Sequence, residues 1–175
     1  LVKGFGGYHL CANAANPPAV AKIRQIKHRG QKPFAVLFRN IEEVRQYCRV
    51  SQAEEKLLLS AARPIVLLHS KRPLPTEITC DSDRVGAFLP CKPLQILLLE
   101  AISPLVATSA NISGAPMCTD DTAVQQFGVP VLGHDRPILT PIDDSVLQVT
   151  EGNPAFMRRA RGYVPNRPPC AWAVI

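Results

Sequence analysis

No stretch of this sequence stays apolar for the ~18 residues that a membrane-spanning helix needs. The longest candidates, Leu94–Leu99 and Pro64–Leu68, are the length of core segments. The N-terminus has no charged patch followed by an apolar run, so no secretory signal is read there. None of the six cysteines (Cys11, Cys48, Cys80, Cys91, Cys118 and Cys170) forms a Cys-x-x-Cys pair or a zinc-finger spacing. No metal is therefore expected on protein cysteines, and reduced thiols in a cytoplasmic protein are the expectation. His9-x-Cys11 has no second ligand cluster behind it. Aromatic residues make up only 6%, too few for an extended base-stacking surface. There is no internal repeat, and the 17 prolines are scattered rather than gathered in a tract. No Ser-His-Asp or Cys-His constellation is apparent, so the sequence does not point to a protein nucleophile.

What is present is an ordinary globular composition. The 175 residues are 46% hydrophobic and 19% charged, with a mean hydropathy of +0.04. A chain of this size forms one domain with a substantial core. It opens at Leu1, with Leu1-Val2 reading as a strand end, and its tail, Pro168 to Ile175, stops abruptly. The expectation is a piece of a longer protein, with a nucleotide-binding domain over residues 1–168 and a tail over 169–175 that starts a linker or the next domain. A net charge of +6 and a pI of about 9.2 suit an anionic partner (nucleotide, nucleic acid or acidic protein), although solubility alone also accounts for them.

The local pattern alternates between short apolar runs and capped helices. Asn16 followed by Pro17 and Pro18 opens a helix, and Pro33–Phe38 reads as a buried strand. Asn40 caps a second helix. Ser51 and Glu54 make a capping box for a third, running through Ala62. Strands are predicted at Pro64–Leu68, Val85–Leu89, Pro104–Thr108, Val129–Leu132, Ser145–Val149 and Phe156–Arg161. Helices are predicted from Pro93 to Ile102 and over Thr119–Phe127, and a loop over Ser70–Arg84. The class is α/β with a mixed sheet.

Several polar segments interrupt this frame. Gly4-Phe5-Gly6-Gly7-Tyr8-His9 is either an anion-accepting loop or a tight turn. Lys27-His28-Arg29-Gly30-Gln31-Lys32 places cations between a helix end and a strand. The helix dipole alone favours them there, but Lys32 lies beyond the helix, and a fixed cluster suits a polyphosphate. Thr108-Ser109-Ala110-Asn111-Ile112-Ser113-Gly114 follows an apolar strand, where open α/β sheets bind ligands; a simple Ser/Asn turn is the competing reading. Asp143-Asp144-Ser145 either holds Mg²⁺ through water or caps a turn. Arg159 and Arg161 share one face of the last strand, opposite Arg158. There they either bind phosphate or adenine-ribose, or simply face solvent.

Taken in order, these strings resemble the YrdC-like domain of HypF-type hydrogenase maturation carbamoyltransferases. They are Val2-Lys3-Gly4-Phe5-Gly6-Gly7-Tyr8-His9-Leu10, Lys27-His28-Arg29 with Lys32-Pro33-Phe34, Val85-Gly86-Ala87-Phe88-Leu89-Pro90, Thr108–Gly114, His134-Asp135-Arg136-Pro137, Asp143-Asp144-Ser145-Val146 and Arg158–Pro165. Asn13, Gly30, Ile96 and Ala110 depart from the usual HypF residues. The resemblance implies a twisted, open mixed sheet flanked by helices, with a concave basic face. It also implies ATP with Mg²⁺, and carbamate from carbamoyl phosphate converted to carbamoyl-AMP and pyrophosphate. Lys27, Arg29 and Lys32 would act on the triphosphate. Thr108, Ser109, Asn111 and Ser145 would line the phosphate site, Arg159 or Arg161 would contact the adenylate, and Gly6, Gly7 and His9 would shape a carbamate pocket. The implied partners are the acylphosphatase, zinc-finger and transfer domains of HypF, and HypE. Alternatives are a threonylcarbamoyl-AMP synthase for tRNA, the other branch of the superfamily, and a non-catalytic module binding double-stranded RNA. The superfamily also implies weak RNA binding.

Overall fold

The computed structural model describes residues 1–165. The 169–175 tail, Cys170 and the expected boundary at 168 lie outside the described residues. Eight strands form one sheet: β1 (Val2–Lys3), β2 (Tyr8–Asn13), β3 (Ala35–Leu37), β4 (Ile65–His69), β5 (Arg84–Phe88), β6 (Leu105–Ser109), β7 (Val146–Thr150) and β8 (Asn153–Arg158). The order across the sheet is β1-β2-β6-β3-β5-β4-β7-β8. The β3/β5 and β4/β7 pairs are parallel and the others antiparallel. The helices are α1 (Pro17–Ile26), α2 (Ile41–Tyr47), α3 (Gln52–Leu59), α4 (Thr76–Thr79) and α5 (Pro93–Ala101).

Local chemistry sets the helix starts. The Asn16 side chain accepts from the Ala19 amide, with prolines in the first turn, and Asn40 accepts from Glu43. The full Ser51/Glu54 capping box is present. α3 ends at Leu59 rather than Ala62, and Ser60 Oγ turns back onto the Leu57 carbonyl. Val129–Leu132 is not a strand but a single bridge between Val2 and Leu132; Pro130 has no amide to extend the pairing. The stretch expected as a helix from Thr119 holds only a 3₁₀ segment, Ala123–Phe127, because Asp120 Oδ1 takes the Thr122 and Ala123 amides into a tight turn. The Ser70–Arg84 loop contains α4. β8 starts at Asn153 and stops at Arg158, so the alternation expected for Arg159 and Arg161 has no strand to run on. β2 was not foreseen as a strand.

The sheet has two unlike faces. Helices α1 to α4 cover one, packing Val20, Ile23, Val44, Leu58 and Ile78 against Val36, Val66, Leu68, Val85, Ala87 and Val106. On the other face a row of large residues (Leu105, Leu37, Phe88 and Ile65) packs under Leu99 of α5. One register step away lies a row of small ones. Ala107 pairs with Cys11, and Gly86 pairs with Ala35 and Leu67. Among the described residues no helix sits above this row, and that step in side-chain size opens the site.

Candidate functional site: a cleft on the thinly covered face

The hollow above the small row is a cleft of about 510 Å³, within the range of small-molecule sites. Ala35, Gly86 and Ala107 line it together with Ile65, Leu67 and Val146. Arg29, Arg84, Arg158, Thr108 and Ser109 supply its donors. Asp143, Asp144 and His9 close one side. A smaller hollow of about 220 Å³ shares His9 and Asp144 with the cleft and adds Phe5, Gly6, Cys91, Lys92 and Arg161.

The two polar segments flanking the cleft are braced from below. Lys27 is 1% exposed. Its ammonium donates to the carbonyl oxygens of Ser109 and Asn111 and to Asn111 Oδ1. Ser109 Oγ donates to the same Oδ1 at 2.7 Å, and Asn111 Nδ2 donates to the Ala115 carbonyl at 2.6 Å. Burial, and then the Arg29 charge, push the Lys27 pKa down to about 8. The structure thus places Lys27 and Asn111 behind the strand-end loop as a cross-brace. Arg29 stands at the cleft wall, its guanidinium 4.9 Å from the Phe34 ring centroid. Nε donates to the Lys32 carbonyl and Nη2 to the Pro33 carbonyl. The Lys32 backbone is therefore pinned while its side chain is exposed.

The remaining expected residues lie as follows. Ser145 is fully buried, donating to the Arg161 carbonyl and accepting from the Ala160 amide, while its neighbours Asp144 and Val146 line the cleft. Arg161 clamps Asp144 Oδ1 at 2.8 and 3.0 Å and the carbonyls of Ala62 and Arg63. Arg158, not singled out from the sequence, lines the cleft and pairs with Asp143 at 3.3 Å. Arg159 follows it, half-buried. Gly6 is glycine for packing, since a Cβ would lie 2.5 Å from the Ile142 side chain, and Gly7 for its backbone, whose φ of +152° side-chain-bearing residues rarely adopt. His9 stands where the two hollows meet. Burial, then the Lys92 charge, lower its pKa to about 4, so the ring is neutral near pH 7. Arg84 and Lys92 were also missed. The only sequence signal for either was its place beside the Val85–Pro90 string.

Asp143 and Asp144 spend their charge on Arg158 and Arg161. Among the described residues no group of three His, Cys, Asp or Glu side chains gathers to hold a metal. The described residues do not form a dedicated Mg²⁺ cage.

The Sua5/YciO/YrdC family model, described as telomere recombination, matches residues 1–160. The chain belongs to the Sua5/YciO/YrdC family. Within that family it is 44% identical over 172 residues to the carbamoyltransferase HypF of a Synechocystis species, covering 94% of this chain and 22% of that one. It is 29% identical to a putative threonylcarbamoyl-AMP synthase of Methanocaldococcus jannaschii, covering 88% of this chain and 79% of that one. A crystal structure of full-length HypF in its phosphate- and nucleotide-bound form superposes with a TM-score of 0.89 at 46% identity, over 94% of this chain and 27% of that one. The chain thus spans about a quarter of the length of the HypF proteins it matches. The mixed eight-stranded sheet flanked by helices is the architecture of this Sua5/YciO/YrdC relative. No helix among the described residues is long and apolar enough to cross a membrane.

Proposed function

We propose that this chain carries the adenylate-forming step of a HypF-type carbamoyltransferase. A carbamate oxygen, derived from carbamoyl phosphate, attacks the α-phosphate of ATP; the bond to the β-phosphate breaks, giving carbamoyl-AMP and pyrophosphate. The observation that carries the reading is the braced cleft, where cationic and hydroxyl side chains converge on a floor of backbone and methyl groups. The nucleotide-bound state of the similar HypF structure supports it.

The step needs no protein nucleophile. It needs reactants held in line and negative charge neutralised. Arg29 keeps Nη1 for a phosphate oxygen, since its other nitrogens are anchored, and Arg84 and Thr108 line the same cleft. Lys32, exposed beside Arg29, would meet the outer phosphates. Lys27 and Asn111 fix the loop that carries Ser109. Arg158, with Arg159 beside it, faces the adenylate. Mg²⁺ would come with the triphosphate rather than from the protein. In the larger enzyme the product would pass to the transfer domain and on to HypE in hydrogenase maturation, in the cytoplasm.

The test is ATP–pyrophosphate exchange. We expect exchange that depends on carbamoyl phosphate or carbamate, and a loss of at least about 100-fold in Arg29→Ala, in line with removal of one electrostatic donor from a transition state. Exchange driven by threonine with bicarbonate would move the chain to the synthase branch. Full exchange in Arg29→Ala would overturn the site.

A further inference from the structure

The smaller hollow contains a charge that the cleft does not use. Lys92 is half-buried, and among the described residues no hydrogen bond or ion pair engages its ammonium group. What fixes it is shape. Nζ lies 5.5 Å from the Phe5 ring centroid, with the Arg136 guanidinium 5.1 Å from the same centroid. It also fills part of the space that a side chain at position 4 would occupy: a Cβ on Gly4 would lie 2.8 Å from the Gly7 carbonyl oxygen, 2.9 Å from Nζ and 3.3 Å from His9 Cε1. The absence of a side chain at Gly4 leaves room for both the Lys92 ammonium and the His9 ring. A half-buried ammonium with no acidic partner among the described residues can take up an anion.

The rest of the wall defines what kind. At about 220 Å³ the hollow is smaller than the ~300–1,000 Å³ typical of drug-sized ligands, so it takes a molecule of a few heavy atoms. Asp144 lines both hollows and gives Oδ1 to Arg161, while Oδ2 has no hydrogen bond among the described residues. Arg161 neutralises this carboxylate, so it does not repel an anion held by Lys92, yet it can still accept a hydrogen bond. The hollow is thus lined by both a cation and an acceptor.

We propose that Lys92 is a substrate-binding residue of this subsite. It holds the charge of a small planar oxyanion of the carbamate or bicarbonate class, while Asp144 Oδ2 accepts that ion's N–H or O–H, next to the nucleotide's phosphates. This rests on the adenylation reading and names the residues that select its second substrate. Held there, the anion shares the His9 and Asp144 walls with the cleft, so its oxygen is delivered from the side of the phosphates rather than through solvent.

The test uses freshly dissolved ¹³C-labelled ammonium carbamate, which presents carbamate and bicarbonate as separate carbon resonances. Line broadening is measured with the wild-type chain, Lys92→Met, Lys92→Gln and Lys92→Arg. Binding of a non-hydrolysable ATP analogue is measured calorimetrically in parallel, and thermal melts check that each variant folds. We expect the wild type to broaden the carbamate line, Lys92→Arg to retain the effect, and Lys92→Met and Lys92→Gln to weaken it at least tenfold, with analogue affinity unchanged within twofold. Broadening of bicarbonate alone supports the subsite and points to the synthase branch. No broadening by wild type, or equal broadening by folded Lys92→Met, overturns the proposal. Loss of analogue binding by wild type with carbamate binding retained overturns the adenylation reading and leaves the Lys92 site standing.

Discussion

The Lys27 ammonium has three oxygen acceptors and no solvent, which makes it part of the scaffold. The sequence placed this lysine in a cation cluster next to a strand, and the cluster is real, but its members divide the work. Arg29 faces the cleft, Lys27 holds the facing loop and Lys32 stays outside. Nothing in the spacing distinguishes these roles, because helix α1 ends at Ile26, just before the cluster, and each residue then leaves in a different direction. His9 is the residue whose environment makes a measurable pH statement. Its folded-state pKa of about 4 lies below the ordinary 6.5, burial being the main cause. Between those values the unfolded chain binds the proton and the folded chain does not, so stability falls as pH drops from 6.5 to 4. One such site contributes a slope of at most about 1.4 kcal/mol per pH unit. Urea unfolding across this window should show a steeper decline in the wild type than in His9→Gln. Parallel curves would place the titration elsewhere.

Among the elements, those with capping chemistry were the most legible. Asn16, Asn40 and the Ser51/Glu54 box start helices where the residue types predict, because a cap is decided within four residues. Strand β2 was hidden because its alternation of Tyr8, Leu10 and Ala12 begins inside a glycine-rich string that reads as a loop. Val129–Leu132 failed in the opposite direction: it lies beside β1, but its pairing stops at the single bridge between Val2 and Leu132, Pro130 having no amide to give. The cleft itself was not legible, because it comes from register across strands far apart in sequence. Only pairing shows that Ala35, Gly86 and Ala107 fall in one row. That row makes an element-scale prediction. A Cβ at Gly86 would lie 3.1 Å from Ile65 Cγ2 and make ordinary contacts, at 3.6 Å, with Cα and Cβ of Ala35. A longer side chain there rises from the floor into the cleft. Gly86→Leu should weaken binding of an ATP analogue at least tenfold by calorimetry, while chemical unfolding changes by less than about 1.5 kcal/mol, since β5 tolerates a side chain of this kind. Unchanged affinity in the folded variant would move the nucleotide off this face.

At the scale of the whole molecule, the sheet divides its labour. Four helices seal one face into the principal core, and a single helix seals part of the other, leaving the remainder for ligand. A ligand bound there bridges β6, β3, β5, β4 and β8, and so ties the sheet together from side to side. A non-hydrolysable ATP analogue at 100 times its dissociation constant should stabilise the chain by about 2.7 kcal/mol. For a protein of this length each kcal/mol raises the melting temperature by roughly 2–4 °C. A scanning-fluorimetry shift of about 5–10 °C is therefore expected, and a flat melting temperature at saturating analogue would contradict binding to the folded cleft. The fold class was readable at this scale from the alternation of elements, and the resemblance drawn from ordered strings agrees with the family the comparisons show. The asymmetry of the two faces was not readable.

The row of alanine and glycine has one further consequence. A floor made of peptide units and methyl groups has no rotamers to freeze when a guest arrives, so docking against it loses little conformational freedom from the host. Its height is set by the spacing between hydrogen-bonded strands, which does not breathe the way long side chains do. Recognition on this face is thus built from an immobile base with arginines around it, of which Arg29 is itself anchored to the Lys32 and Pro33 carbonyls. Substitutions that add bulk to the base change the room every guest has, whereas those among the arginines change the charge it meets.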